Sequence, residues 1–341
     1  MKKIYKIIMT LLVTAMCLMG ACRSADNQSN DPVNNHSNDQ NSVQNSDEAL
    51  LIGVLQFGSH PSLDNCYTGI EEGLEALSQS YTIDLQDGNF DPATCDIIAK
   101  NMVAKDYDLI FAIATPAAIS AYSAAANSDI PVIFCAVSDP IAAGLVDDPL
   151  LPGGNCTGTS DLLDLDSQIQ LITTLQPEVK SIGVLYTTSE ANSISQLQKL
   201  RGILEPLDLS LAEQGVQGAA DIPQAAASLA SKVDCITNFT DNNVVNNLQV
   251  LLEQANTTGI PVYGSEIEQV KNGCLAAASI DYIALGQETA ALGVRTLTGE
   301  SAGAIPVSYI SKSTPVINSE VAKRFGLTIP AAYSDAEFVT S

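Results

Sequence analysis

From residue 50 onward, short runs that are apolar throughout alternate with longer stretches of helical periodicity. The runs LLIGVLQF, YTIDLQ, LIFAIA, VIFCAV and NCTGTS predict strands. Between them the pattern predicts helices over 64–79 and 91–104, one from Pro116, and another over 164–175. The alternation then starts afresh: SIGVLYT, a helix over 190–204, LSLAEQGV, a helix over 221–231, CITNFT, a helix over 242–258, PVYGS, a short helix near 266–271, and LAAASID. A helix near 282–298 and an extended segment around 305–317 complete the body. Strands without polar alternation, separated by helices, predict parallel sheets covered on both faces. Two such runs of similar size predict an α/β fold of two doubly wound parallel-sheet lobes, changing over near Ser160–Asp164.

The first 49 residues follow another pattern. MKKIYKIIMTLLVTAMCLMGAC has a lysine-rich start and an apolar stretch of signal-peptide length, too short for a spanning helix. Small residues at Gly20 and Ala21 precede Cys22, which resembles a bacterial lipobox with Cys22 as the lipidated residue. Residues 23–49 are nearly all Asn, Ser, Asp and Gln, so they are expected to form a disordered tether. Residues 1–22 then read as a lipoprotein signal peptide.

Composition narrows the function. The 341 residues carry 39 acids against 15 Lys+Arg, a net charge of −24, which excludes nucleic acid because phosphate contacts need clustered cations. Cys66, Cys95, Cys135, Cys156, Cys235 and Cys274 sit in or beside apolar runs and are expected to be buried free thiols. With no CxxC and two histidines, neither a metal site nor a cofactor is expected.

In open parallel sheets, ligands bind outside the carboxyl ends of the strands. Those ends carry Phe57, Gly58 and Ser59; Thr115, Pro116 and Ala117; Ser138 and Asp139; Ser160 and Asp161; Glu190, Asn192 and Ser193; Asp241 and Asn242; Glu266; and Asp281. Most of these segments supply Ser, Thr, Asp or Asn, good helix caps, with Thr115 as a cap and Pro116 at the first helical position. None of these loops holds Lys or Arg, which disfavours phosphate or a dicarboxylate. A zwitterion suits them: hydroxyls and helix N–H groups hold a carboxylate, and an acid such as Asp241 holds an ammonium. No nucleophile elbow, dinucleotide fingerprint or P-loop occurs, so no enzyme is expected. His60 near Asp64 is too little for a triad and reads as lining the cleft or capping. The chain has no Trp and 5% aromatic residues, which disfavours stacking on a sugar.

The stretches LIGVLQFGSHPSLD, FAIATPAA, IPVIFCAVSDPIAAGLV, PGGNCTGTSDL, IGVLYTTSEANS, TDNNV and IDYIALGQETAALGV closely resemble the substrate-binding lipoproteins of ABC importers that bind tryptophan or other aromatic amino acids. The resemblance covers residues 50 to about 330. It implies a type I periplasmic-binding-protein fold with three crossover strands, ligand in the cleft, and closure on binding. It implies lobe 1 over 50–161 and 283–310, and lobe 2 over 162–282 and 311–336. The helix near 282–298 would return to lobe 1, where Gly286 and Gly293 suit close packing. Thr115, Ala117 and Ser138 would take the ligand carboxylate, Asp241 the ammonium, and Phe57 would wall the side chain. Asn238-Phe239 departs from the smaller or more polar pair expected before Thr240. The implied partners are an amino acid, permease and ATPase subunits, and a lipid anchor, for an extracytoplasmic monomer. An extracellular sensor domain, a hydrolase on the same scaffold, and a nucleoside or sugar ligand remain as alternatives.

Overall fold

Burial without alternation decides the first sheet. In β1 (Leu50–Gln56) five consecutive residues are buried, and all of β3 (Leu109–Ile113), β4 (Val132–Cys135) and β5 (Cys156–Ser160) is buried. Such strands need cover on both faces, and helices supply it. The structure, a computed structural model, describes residues 49–310 and 312–340. The expected signal peptide, Cys22 and almost all of the expected tether lie outside the described residues.

In chain order the first lobe contains β1, α1 (Pro61–Leu74), β2 (Tyr81–Asp87), α2 (Pro92–Ala104), β3, α3 (Thr115–Ala125), β4 and β5. The second contains α4 (Leu165–Leu175), β6 (Ser181–Thr187), α5 (Ala191–Leu204), β7 (Ser210–Val216), α6 (Ile222–Ala230), β8 (Cys235–Thr237), α7 (Asn242–Asn246), α8 (Leu248–Thr258), β9 (Val262–Tyr263), α9 (Ile267–Lys271) and β10 (Ala276–Ser279). The chain then returns through α10 (Tyr282–Leu297) and β11 (Ser308–Tyr309). It finishes with β12 (Thr314–Asn318), α11 (Ser319–Arg324) and β13 (Glu337–Val339). The fold is α/β with two doubly wound lobes, and the chain passes between them three times.

The first sheet has the order β11-β5-β4-β3-β1-β2 and is parallel at each pair. In the second lobe β7-β6-β8-β9 are parallel, while β12 runs antiparallel to β10 and parallel to β13. The expectation of parallel pairing throughout is therefore corrected at β12. The segment 305–317 is two strands in two sheets, and β13 carries the second lobe past residue 336. In each lobe the order reverses beside the first strand, at β1/β3 and at β6/β8, where a crevice opens at the carboxyl ends.

Two local departures have plain causes. The helix expected over 242–258 breaks at Asn247 (φ −110°, ψ 24°), whose Nδ2 donates to the Asn243 carbonyl at 2.8 Å. That is local competition between an Asn side chain and the helix ladder. The helix expected from Asp64 begins at Pro61, whose ring suits a first helical turn. Asp64 instead accepts from Gln56 Nε2 at 2.7 Å.

Helix α10 lies on α1 with almost no gap. A Cβ on Gly286 would sit 2.1 Å from the Cys66 carbonyl oxygen, and one on Gly69 would sit 2.1 Å from that of Ile283. Gly293 leaves room for the Phe111 ring. The six described cysteines are free and buried.

Candidate ligand-binding site

The loops after β1, β3, β4 and β5 face those after β6, β8 and β9 across a cavity with about 340 Å³ of empty space. From the first lobe its wall takes His60, Ser62, Leu63, Ala114, Thr115, Ala136, Ser138, Asp161 and Tyr282. From the second it takes Asn192, Thr240, Asn242, Val245, Glu266 and Gln269. There is no Lys or Arg among them.

The backbone is strained where β3 and β4 end. Ala114 has φ 77° and ψ 153°, and Ala136 has φ 56°. Non-glycine residues held there cost about 1–3 kcal/mol each and cluster at binding sites. Ala114, not Thr115, caps α3; Thr115 is the first helical residue and Pro116 the second. The Thr115 hydroxyl is buried on the wall with no hydrogen-bond partner. Ala117 is buried in the lobe's apolar core.

Two carboxylates reach the cavity. Asp161 accepts from Ser138 Oγ at 2.8 Å and from the Tyr282 hydroxyl at 2.9 Å. Burial raises its pKa, against those two hydrogen bonds. Glu266 caps α9, accepting from the Glu268 and Gln269 amides at 2.6 and 2.8 Å. Burial pushes it up to about 7, although those amides and the Ser62 hydroxyl pull the other way. Around them, Asn192 Oδ1 and both His60 ring nitrogens are buried without partners. Asn242 lies beside the His60 ring and raises its proton affinity without reaching hydrogen-bond geometry. Burial dominates and takes the imidazole down to about 4, so it is neutral at pH 7.

Asp241 lies behind the wall. Its carboxylate accepts from the Thr187 amide (2.6 Å), the Thr187 hydroxyl (2.8 Å), the Ser193 hydroxyl (2.6 Å) and the Val244 amide (3.0 Å). It is an N-cap for α7 and is fully buried. Glu190 sits beside it, accepting from Asn192 and from Asn242, the latter at 2.7 Å. Burial, then the charge of Asp241, pushes Glu190 up to about 8.

Of the other expected positions, Phe57 is in the core, edge-on to Phe90 with centroids 5.8 Å apart, and does not line the cavity. Gly58 backs onto Phe90, and Ser59 bonds Asp64 at the surface. Ser160 donates to the Ser138 carbonyl from behind the wall. Asp281 caps α10 at the surface. Asn238 and Phe239 also avoid the cavity: the first bonds Gln269 and the second is core. Sequence reasoning read His60, which lies on the cavity wall, as lining the cleft or capping, and named Thr240 without a ligand role. It missed Gln269, one turn beyond Glu266, and Tyr282, next to Asp281; no local pattern marks either.

The lobes touch across the cleft. Ser138 Oγ is 3.0 Å from Thr240 Oγ1. Asp139 accepts from Ser195 and, at 3.2 Å, from Lys199 Nζ, both on α5. Burial raises the Asp139 pKa, yet Ser195, the Ala142 amide and Lys199 together bring it below the usual carboxylate range.

Two doubly wound lobes with a polar cavity at both switch points define a solute-binding protein of the type I periplasmic-binding kind. The chain belongs to the ABC transporter substrate binding protein family, whose model matches residues 51–338. Proteins of this family are extracytoplasmic, non-enzymatic binding components of ABC transporters. Among the described residues no helix is long and apolar enough to cross a membrane.

A tyrosine-binding protein of Clostridioides difficile is 36% identical over 326 residues, covering 94% of this chain and 92% of its own. The Streptococcus pneumoniae ABC domain in complex with L-Trp is 36% identical and superposes with a TM-score of 0.83, over 86% of this chain and all of that one. A ligand-free, open substrate binding protein from Clostridium difficile, 34% identical over the same shares, superposes at 0.66.

Proposed function

We propose that this chain captures a zwitterionic aromatic amino acid between its lobes and delivers it to an ABC importer. The observation that carries the reading is the cavity wall itself. Buried, unpartnered Thr115 Oγ1 and Asn192 Oδ1 stand with Asp161 and Glu266, and no Lys or Arg lines the wall. Buried polar groups normally find partners, and an amino acid would supply them. Thr115 and the free amides of the first turn of α3 suit its carboxylate. Asp161 and Glu266, rather than Asp241, suit its ammonium. The lobes divide near 161/162, 282/283 and 310/311; the separate apolar clusters support the first and last of these, while Ile280 and Tyr282 already pack in the first lobe's core.

Closure on binding is part of the reading. At nearly equal identity, the chain fits the tryptophan-bound structure better than the open, ligand-free one. Cys22 carries the lipid anchor and residues 23–49 the tether, as the lipobox-like Gly20-Ala21-Cys22 suggests. Cys22→Ser is expected to release the body to the medium; unchanged membrane retention would remove the anchor from this account.

Calorimetric titration with tryptophan, tyrosine, phenylalanine and leucine tests the ligand class. At least one aromatic amino acid is expected to bind. Binding of a nucleoside or a sugar, with none of the four bound, would overturn it.

A further inference from the structure

The cavity holds one ring whose two nitrogens make no hydrogen bond of full geometry among the described residues, with Asn242 as the polar side chain beside it. His60 ends the loop after β1, is 8% exposed and lies on the cavity wall. It occupies the cap position of α1 at φ −152°, yet its side chain caps nothing. Both ring nitrogens are buried and without partners.

Its position is set from behind. Phe90 stacks on the imidazole, with planes 12° apart and centroids 6.2 Å apart. Phe90 is in turn held edge-on by Phe57, and its amide donates to the Phe57 carbonyl at 2.8 Å. Gly58 makes this stack fit, since a Cβ there would lie 2.6 Å from the Phe90 ring. The glycine, the two phenylalanines and the histidine form one buttress. On the cavity wall, apolar Leu63 and Val245 complete a surface suited to an aromatic ring.

A neutral imidazole offers one N–H donor and one bare nitrogen acceptor. A phenyl ring can use neither. A phenol or an indole can donate to the bare nitrogen. We propose that His60 is the specificity-determining residue of this site, accepting a hydrogen bond from an O–H or N–H group on the ligand's aromatic ring, so that tyrosine or tryptophan is taken over phenylalanine. This rests on the amino-acid reading above. A site built to hydrogen-bond a ligand rejects the analogue that lacks the group, because its own polar atom is then left buried and unpaired.

The test uses calorimetry on the full folded body. The better-bound of tyrosine and tryptophan is expected to exceed phenylalanine by about 10- to 100-fold in affinity. Ligand-side probes need no variant: 4-fluorophenylalanine against tyrosine, and 1-methyltryptophan against tryptophan, remove the donor with little change in shape. The better ligand's matched analogue is expected to lose the same 10- to 100-fold. His60→Phe keeps a ring on Phe90 but no hydrogen bond; it is expected to weaken the better ligand by that factor more than it weakens phenylalanine, so the ratio collapses. Equal binding of phenylalanine and the ring-donor ligands by the unaltered protein would overturn the proposal while leaving the amino-acid reading intact. So would an unchanged ratio in His60→Phe. If no aromatic amino acid binds, both readings fall together.

Discussion

Asp241 shows why a residue's type and place in the chain do not settle its role. It follows a buried strand and opens a helix, the place expected of an ammonium ligand, but four donors already engage its carboxylate. Asp241→Asn still caps and is expected to cost about 1–3 kcal/mol of stability, with affinity changed only a few-fold. Glu266→Gln is expected to do the reverse, losing about 30-fold or more in amino-acid affinity as a charged partner leaves a closed site. Melting and titration of both variants separate these outcomes; a larger affinity loss in Asp241→Asn would restore it as the ammonium partner. The strand-end residues were legible because caps are local. Which caps face outward was not, because Thr187 and Ser193 turn Asp241 inward from elsewhere in the chain.

The same residues set a pH dependence. Glu190 and Glu266 hold their protons more tightly folded than unfolded, at about 8 and about 7. Their stabilising effect is full below the ordinary glutamate value and is lost as pH rises through those values. His60 acts oppositely: its contribution is present above 6.5 and fades as pH falls toward about 4. Between pH 8.5 and 6.5 the carboxyls are therefore unopposed by His60, and the ligand-free melting temperature is expected to rise on acidification. Glu190→Gln should flatten that slope. A melting temperature that falls over this interval would refute the assignment.

At the scale of elements, apolar runs and helical periods were sufficient for most strands and helices, because burial on both faces leaves a plain pattern. What escaped depended on distant partners. Nothing within TPVIN marks its antiparallel pairing with β10, and α7 separates from α8 through one Asn side chain. Gly286 was legible as a packing residue, and its contact makes a sharp test. Gly286→Ala would drive a methyl into the Cys66 carbonyl, where neither helix backbone can yield locally. Overpacking of this kind costs about 1–3 kcal/mol, so the urea midpoint is expected to fall. An unchanged midpoint would mean that α1 and α10 are further apart than described.

For the whole molecule, the lobes meet through Ser138–Thr240 and through Asp139 with Ser195 and Lys199. The Asp139–Lys199 pair is partly exposed, so its share in holding the lobes together is small. Asp139→Asn is expected to weaken amino-acid binding about two- to fivefold, with the difference shrinking at high salt. A loss that is indifferent to salt would assign Asp139 another role.

The central claim is that an aromatic amino acid lies between the lobes, its carboxylate at α3 and its ammonium at Asp161 and Glu266. A crystal structure of the protein grown with its best-binding aromatic amino acid tests this most directly. The account predicts the ligand enclosed by both lobes, its carboxylate bonded to Thr115 and its amine within hydrogen-bond reach of Glu266 or Asp161. A ligand bound outside this cavity, or one held with its amine on Asp241, would contradict it.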